Sequence, residues 1–225
     1  MDPLVRKVRI GLLKLNITIA GVLFISAGTL RFWQAWVFWI VAGGSLSFIT
    51  LYFLRHDRRL IENRLRGGPK AESRPIQKVI LALASVLMIP LLALPGFDHR
   101  FGWSRLPAAI CVLGDVLVTV GSWILFLVFQ ENTTAFATVR VEAGQQVIST
   151  GPYSVVRHPM YACAMFQLIG MPLALGSLWA LPVGVALGGA IVVRLVDEEK
   201  FLAGSLPGYG AYREKVRYRL IPGIW

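Results

Sequence analysis

Residues 106–129 read LPAAICVLGDVLVTVGSWILFLVF, an apolar stretch that contains one charged side chain, Asp115. A helix of about 20 apolar residues crosses the hydrocarbon core of a bilayer. Backbone groups in lipid have to hydrogen-bond within their own segment, which a helix achieves. The stretch therefore predicts a transmembrane helix, in which Asp115 is buried beside a partner in the bundle.

The rest of the chain repeats this apolar pattern. Hydrophobic residues make up 56% of the 225 residues and charged residues 16%, against about 25% charged residues in soluble domains. This composition excludes a disordered chain, a coiled coil, a disulfide scaffold and an ordinary water-soluble enzyme. We predict an all-α, polytopic membrane helical bundle of about six hydrophobic spans that ends in a short helical hairpin. The other apolar runs are 15–30, 33–54, 79–94, 161–178 and 181–196.

The basic residues predict the orientation of the bundle. The net charge is +11, and all but three of the 23 lysines and arginines fall in the two tails and in alternate connecting segments. The three exceptions are Arg31, Arg100 and Arg105. Because cytoplasmic segments of membrane proteins are enriched in Lys and Arg, both termini are predicted to be cytoplasmic. We interpret the basic excess as a topology signal and a contact for anionic membrane lipids, not as a nucleic-acid site.

The cysteines and histidines give no sign of a metal centre. Cys111 and Cys163 both lie in apolar runs, where they are predicted to pack as small hydrophobic side chains. The sequence has no Cys/His cluster with metal-ligand spacing, so no metal site is predicted.

The first polar motif on the predicted cytoplasmic side is GPYSVVRHPMY, residues 151–161. Gly-Pro favours a turn, and Pro159 is suited to the first turn of a helix. Arg157 and His158 then lie where the helix begins, and Tyr161 lies on the same face as His158.

Two further polar segments follow on the same side. In RLVDEEK, residues 194–200, Arg194 and Glu198 are four residues apart and share a helix face. An ionisable residue as deep in a span as Arg194 indicates a functional site. The tail, residues 209–222, has the pattern of an amphipathic interfacial helix.

Taken together, these motifs resemble those of the isoprenylcysteine carboxyl methyltransferase family. The resemblance rests on GPYSVVRHPMY, a short apolar hairpin, RLVDEE, and then YGAY and RLIPG, which cover about residues 145–222. The family belongs to a superfamily that also contains membrane phospholipid methyltransferases. The spans before residue 130 resemble the family only in being apolar.

The resemblance implies S-adenosyl-L-methionine as methyl donor, with S-adenosyl-L-homocysteine as product. Arg194, Glu198 and His158 are the implied catalytic residues, and Arg194 is also the implied contact of the acceptor. A single domain, 1–225, is predicted, in which 1–129 forms the membrane scaffold and 130–225 the cofactor-binding and catalytic region. The predicted cofactor-binding residues are Gln145, Gln146, Val147, Ile148, Tyr153, Arg157, His158, Pro159, Met160, Tyr161, Glu198 and Glu199.

The chemistry of methyl transfer narrows the choice of methyl acceptor. A carboxylate is already ionised at pH 7 and needs no general base, whereas an amine acceptor needs one, for which Glu199, Asp197 and His158 are the candidates. The absence of a clear base favours a carboxylate on a lipophilic small molecule or prenylated acceptor. The alternatives are a phospholipid N-methyltransferase, an NADPH-dependent membrane reductase of the sterol type and a small non-enzymatic transporter.

Overall fold

The computed structural model describes residues 2–65, 67, 72, 74–133 and 145–225. Arg66, Lys70 and Arg140, which contribute to the charge asymmetry, lie outside these residues, as does the rest of the segment 134–144. Within the described residues all regular structure is helical. The helices are α1 (Pro3–Ala27), α2 (Trp33–His56), α3 (Arg58–Leu65), α4 (Pro75–Phe101), α5 (Ala108–Glu131), α6 (Pro159–Ala174), α7 (Leu181–Ser205) and α8 (Tyr209–Lys215).

The apolar runs of the sequence form helices, as predicted. Helices α1, α2, α4 and α5 are long and apolar enough to cross a membrane. Helix α6 is shorter, with 16 residues, and it is joined to α7 by a turn in which Gly176 has a φ of 71°. The predicted terminal hairpin is thus confirmed as α6 and α7. Gly151–Ser154 forms a 3₁₀ turn and α6 begins at Pro159, which also agrees with the prediction.

Helices α5 and α6 pack so closely that their backbones touch. A Cβ atom on Gly114 would lie 2.1 Å from the backbone nitrogen of Ala174, and one on Gly170 would lie 2.9 Å from the carbonyl oxygen of Gly114. Small residues permit such approaches between helices in membranes, where packing rather than the hydrophobic effect drives association. The hairpin is thereby fixed against the central span.

Helices α1 and α2 meet around Asn16. Its side-chain amide donates to the hydroxyl of Ser47 at 3.2 Å, and the indole of Trp39 donates to the carbonyl oxygen of Asn16 at 3.1 Å. Residues Trp39–Gly43 form a π-helical turn within α2. A Cβ on Gly43 would collide with the Asn16 side chain, so a glycine at this position leaves room for the polar contact.

The two ends of the bundle contain different sets of contacts. At one end Phe32 stacks on His99, and Asp98 accepts hydrogen bonds from Ser104 and Ser177. At the other end the start of α1, helix α3, the end of α5 and the start of α6 share one apolar cluster, which includes Val8, Leu60 and Val128. Ion pairs and hydrogen bonds bring the start of α4 and the end of α7 to this second end as well. The predicted site residues all belong there.

Asp115 differs from its prediction. The residue is buried in α5, but neither carboxylate oxygen has a hydrogen-bond partner among the residues that the structure describes. The two cysteines are free and buried, as predicted for small hydrophobic side chains.

Candidate functional site

A cavity of about 570 Å³ opens between α4, α6 and α7 at the second end of the bundle. This volume lies in the range of small-molecule sites, about 300–1,000 Å³. Every sequence-predicted site residue except Glu199 lines its wall. The structure therefore brings His158, Arg194 and Glu198 to one place, although 40 residues of chain separate the first from the last.

The wall of the cavity changes from apolar to polar along the helices. On α7 the lining residues run from Leu187 and Ile191 to Arg194 and Glu198, with Leu202 one turn beyond. On α6 they run in the opposite direction, from Leu168 back to His158. The apolar part is completed by Ile80, Leu81, Ala84 and Met88 of α4. A ligand that fills the whole cavity has to combine a polar and an apolar part.

Tyr161 connects Arg194 and Glu198 where the wall changes from apolar to polar. Its hydroxyl donates a hydrogen bond to Oε2 of Glu198 and accepts one of 2.8 Å from Nε of Arg194. Arg194 and Glu198 are one helical turn apart, so a single hydroxyl from the facing helix reaches both. This three-residue group fixes the direction in which each charged side chain faces the cavity.

Glu199 lies behind the cavity wall and binds three basic side chains. Its carboxylate accepts hydrogen bonds from Nε of Arg157 at 2.6 Å and from Nε of Arg219 at 2.7 Å, and Nε2 of His158 lies 3.3 Å away. Burial alone would raise the pKa of Glu199, but the hydrogen bonds from His158, Arg157 and Arg219 outweigh it and hold the pKa well below its usual range. Glu199 is thus an ionised anchor for its neighbours.

Arg157, which is bound to Glu199, also binds the C-terminal segment. Its Nη1 donates to the carbonyl oxygens of Val216 and Arg217 at 2.8 and 2.7 Å. The backbone amides of Arg157 and His158 donate to the carbonyl oxygens of Tyr218 and Arg219. The segment after α8 is therefore held against the start of α6.

This attachment brings aromatic rings of α8 into the cavity wall. Tyr209 and Tyr212 both line the cavity, and the Tyr212 hydroxyl donates to the carbonyl oxygen of Tyr153 at 2.8 Å. Asn132 in turn donates to the Tyr153 hydroxyl at 3.0 Å. Burial raises the pKa of Tyr153 to about 12, so its ring is neutral at physiological pH.

Sequence reasoning missed several residues of the wall. Arg64 of α3 and Asn132 at the end of α5 both line the cavity, although nothing in the sequence sets Arg64 apart from the other basic residues. Tyr209 and Tyr212 also line it, although they belong to the tail whose pattern predicts an amphipathic interfacial helix. No pattern in the sequence links α3 to the hairpin motifs, because the link is made by packing between elements far apart in the chain.

One comparison with known proteins covers a large part of the chain that lines this cavity. Residues 109–206 match the phospholipid methyltransferase family model. The match spans α5, the hairpin of α6 and α7, and the motifs from residue 151 to Glu199. It confirms the superfamily resemblance inferred from those motifs.

A curated relative gives a second comparison. The chain is 30% identical over 116 residues to the cobalt-zinc-cadmium resistance protein CzcN of Cupriavidus metallidurans. The alignment covers 50% of this chain and 48% of that protein. The chain thus matches about half the length of this relative.

Proposed function

We propose that this protein is an S-adenosylmethionine-dependent methyltransferase that acts at the cytoplasmic membrane surface on the carboxylate of a lipophilic, isoprenylcysteine-like acceptor. The observation that carries the proposal is the Arg194–Tyr161–Glu198 group, placed where one cavity changes from apolar to polar. The polar part suits a nucleoside-containing donor and the apolar part a lipid-like acceptor. The match to a methyltransferase family supports the reaction type.

The polar part of the wall has groups that fit the donor. Tyr153 and Tyr161 offer aromatic faces to a sulfonium cation. Glu198 can accept hydrogen bonds from ribose hydroxyls or from an ammonium group. When bound, the donor supplies an electrophilic methyl group. The protein's part is to hold the donor and to align the acceptor oxygen with the methyl carbon, which can lower the barrier by about 7–11 kcal/mol.

Arg194 is the proposed contact of the acceptor carboxylate. A guanidinium binds a carboxylate through two parallel hydrogen bonds, and Tyr161 holds Arg194 in place for this role. Because a carboxylate is already ionised, the reaction requires no base.

The surroundings of the neighbouring carboxylates support a carboxylate acceptor over an amine. Asp197 accepts hydrogen bonds from Arg74 at 2.7 Å and from Gln77 at 2.5 Å. Glu199 is bound to Arg157 and Arg219. Glu199 is stabilised as an anion by these partners and is a poor proton acceptor, and neither Asp197 nor Glu199 is among the residues of the cavity wall. A phospholipid amine, the second candidate acceptor suggested by the matched family's description, would have to rely on His158.

A panel of acceptors tests the proposal with the detergent-purified protein. Transfer of a labelled methyl group is measured to an N-acetyl-S-prenylcysteine, to the same compound with its carboxyl group amidated, to the water-soluble N-acetyl-S-methylcysteine, and to phosphatidylethanolamine in mixed micelles. We expect methylation of the free carboxylate alone. Methylation of the phospholipid instead would select the amine reaction, and preference for water-soluble N-acetylcysteine derivatives would contradict a lipophilic acceptor.

Two variants separate the roles of the donor and acceptor residues. Glu198→Ala is expected to weaken S-adenosylhomocysteine binding by about 10-fold or more, because a hydrogen-bonded charged group contributes about 1.5–3 kcal/mol. Arg194→Ala is expected to retain that binding and to lose acceptor turnover. Binding is followed by ligand-dependent thermal stabilisation, with Glu214→Ala, an exposed position on α8, as the control. Unchanged affinity in the Glu198 variant, or stabilisation by NADPH instead, would count against the assignment.

A further inference from the structure

Gln167 is a polar side chain in the apolar part of the cavity wall. It belongs to α6 and lies outside the sequence motifs of the predicted site. Met160, Ala164 and Leu168 line the cavity with it, and their spacing of three and four residues places all four on one face of α6. Gln167 is six residues beyond Tyr161, which moves it about 9 Å along the helix toward the apolar part.

Two hydrogen bonds fix the orientation of the Gln167 amide. Its Nε2 donates to the carbonyl oxygen of Val118 at 3.2 Å and to the hydroxyl of Ser122 at 3.0 Å. A backbone carbonyl can only accept a hydrogen bond, so the amide nitrogen, and not the amide oxygen, has to face α5. The oxygen Oε1 therefore points away from α5, and it accepts no hydrogen bond from the residues that the structure describes.

The rest of this part of the wall is apolar. The facing helices contribute side chains such as Met88, Leu125 and Leu187. Among the described residues of the apolar part, Gln167 has the only amide, hydroxyl or charged side chain. A hydrocarbon tail that filled this space would displace water from Oε1 and leave a buried acceptor without a donor, which is unfavourable. A tail that carries a donor of its own avoids this loss.

We propose that Gln167 selects methyl acceptors whose lipophilic part carries a hydrogen-bond donor, either a hydroxyl or an amide N–H. This inference rests on the proposed function and narrows its substrate class. Oε1 of Gln167 accepts the hydrogen bond while Arg194 binds the carboxylate. The donor group lies about 9 Å from the carboxylate, because this is the rise along α6 between Tyr161, which holds Arg194, and Gln167. A site that hydrogen-bonds a substrate group discriminates against the analogue that lacks it.

Three acceptors that differ in one hydroxyl group provide the test. They are N-acetyl-S-dodecylcysteine and its two derivatives with a hydroxyl at carbon 4 or at carbon 12 of the dodecyl chain. Carbon 4 matches the spacing between the carboxylate and Gln167, whereas carbon 12 lies well beyond it. For the unaltered, detergent-purified protein we expect kcat/KM for the 4-hydroxy acceptor to exceed that for the other two by about 10-fold or more.

Two variants separate recognition of the acceptor from packing of the helices. Gln167→Met removes the amide and keeps an unbranched side chain. We expect it to lower kcat/KM for the 4-hydroxy acceptor about 10-fold or more, and to leave the values for the other two acceptors equal or higher. Thermal stabilisation by S-adenosylhomocysteine should be unchanged. Ser122→Ala removes one partner of Nε2 but not Oε1, so it should retain the preference for the 4-hydroxy acceptor.

Two outcomes overturn the inference while the proposed function stands. Equal kcat/KM for all three acceptors with the unaltered protein would show that the cavity recognises no donor group, and this comparison holds even if Gln167→Met does not fold. An equal loss for all three acceptors in Gln167→Met would show that Gln167 only joins α6 to α5. If the unaltered protein methylates none of the three, the proposed function fails and this inference fails with it.

Discussion

At the scale of single residues, three adjacent carboxylates have three different environments. Asp197, Glu198 and Glu199 are consecutive on α7, and side by side in water they would repel one another. Successive residues of a helix point about 100° apart, so each faces another neighbour. Asp197 meets Arg74, Glu198 meets the Tyr161 hydroxyl, and Glu199 meets Arg157 and Arg219. The only one of the three that lines the described cavity wall is Glu198.

Replacing the buried anchor should destabilise the protein strongly. In Glu199→Gln the guanidinium groups of Arg157 and Arg219 lose their shared counterion, and breaking a buried ion pair by removing one partner costs about 3–5 kcal/mol. We expect a clear fall in the thermal unfolding midpoint in detergent, measured by intrinsic fluorescence. Glu214→Gln, which makes the same chemical change at an exposed position, should leave the midpoint nearly unchanged. Equal midpoints for both variants would refute the stabilising role of Glu199.

The same residue makes a prediction about pH. Because the folded-state pKa of Glu199 is lower than its ordinary value of 4.5, its contribution to stability is present in full above that value. The contribution is lost progressively as the pH falls below it, toward the folded-state pKa. The midpoint of the unaltered protein should therefore fall more steeply on acidification below about pH 4.5 than that of Glu199→Gln. Parallel curves for the two proteins would contradict the lowered pKa.

At the scale of the helices, the contact of α5 with α6 positions the site. Helix α6 carries His158 before its first turn and Tyr161 within it, and its place is set by the glycine contacts with α5. Because those contacts involve backbone atoms, they cannot adjust as flexible side chains can. The angle and depth of α6 follow from residues of the interface, far from the polar end.

A single added methyl group should disturb this contact. In Gly114→Ala the new Cβ would lie 2.1 Å from the backbone nitrogen of Ala174, so the helices have to separate, and overpacking of this kind costs about 1–3 kcal/mol or more. Gly189→Ala on α7 meets nothing within 4 Å and should be neutral or stabilising by up to about 1 kcal/mol. Unfolding midpoints in detergent compare the two. A Gly114→Ala protein as stable as the unaltered one would show that the helices are not in direct backbone contact.

At the scale of the whole molecule, the charge pattern and the packing agree on how the segments group. The start of α1, helix α3, the start of α4, the residues just before α6, the end of α7 and the C-terminal segment meet at one end of the bundle. These are the segments that contain most of the basic residues. Arg31, Arg100 and Arg105 lie with Phe32, His99 and Trp103 at the other end. The positive-inside rule then predicts that the cavity opens toward the cytoplasm.

Cysteine labelling tests this orientation. Single cysteines are introduced as Arg105→Cys and Glu214→Cys, with Cys111 and Cys163 replaced by alanine. A membrane-impermeant maleimide applied to intact cells should label the cysteine at position 105, and should label the one at position 214 only after the membrane is permeabilised. The reverse labelling pattern would show that the bundle has the opposite orientation and that the cavity opens at the outer surface.

The amino-acid sequence by itself determined the helices and much of the site. Apolar runs have to become helices because lipid offers no other hydrogen-bond partner for the backbone. Pro159 marks the start of α6 because proline lacks a backbone N–H, and the N–H groups of a first turn have no partner within the helix. The four-residue spacing of Arg194 and Glu198 placed them on one face of α7. These are local consequences of the sequence, and the structure confirms them.

Only the tertiary structure decided which distant residues complete the cavity. Arg64, Ile80 and Tyr212 reach the cavity wall through the packing of α3, α4 and α8 against the hairpin, and no local pattern encodes those contacts. The different positions of Glu198 and Glu199 are also a consequence of the tertiary structure. The two are neighbours in the sequence, but Glu198 faces the cavity and Glu199 faces Arg157 and Arg219, so the rotation of α7 within the bundle makes one a residue of the wall and the other an anchor behind it.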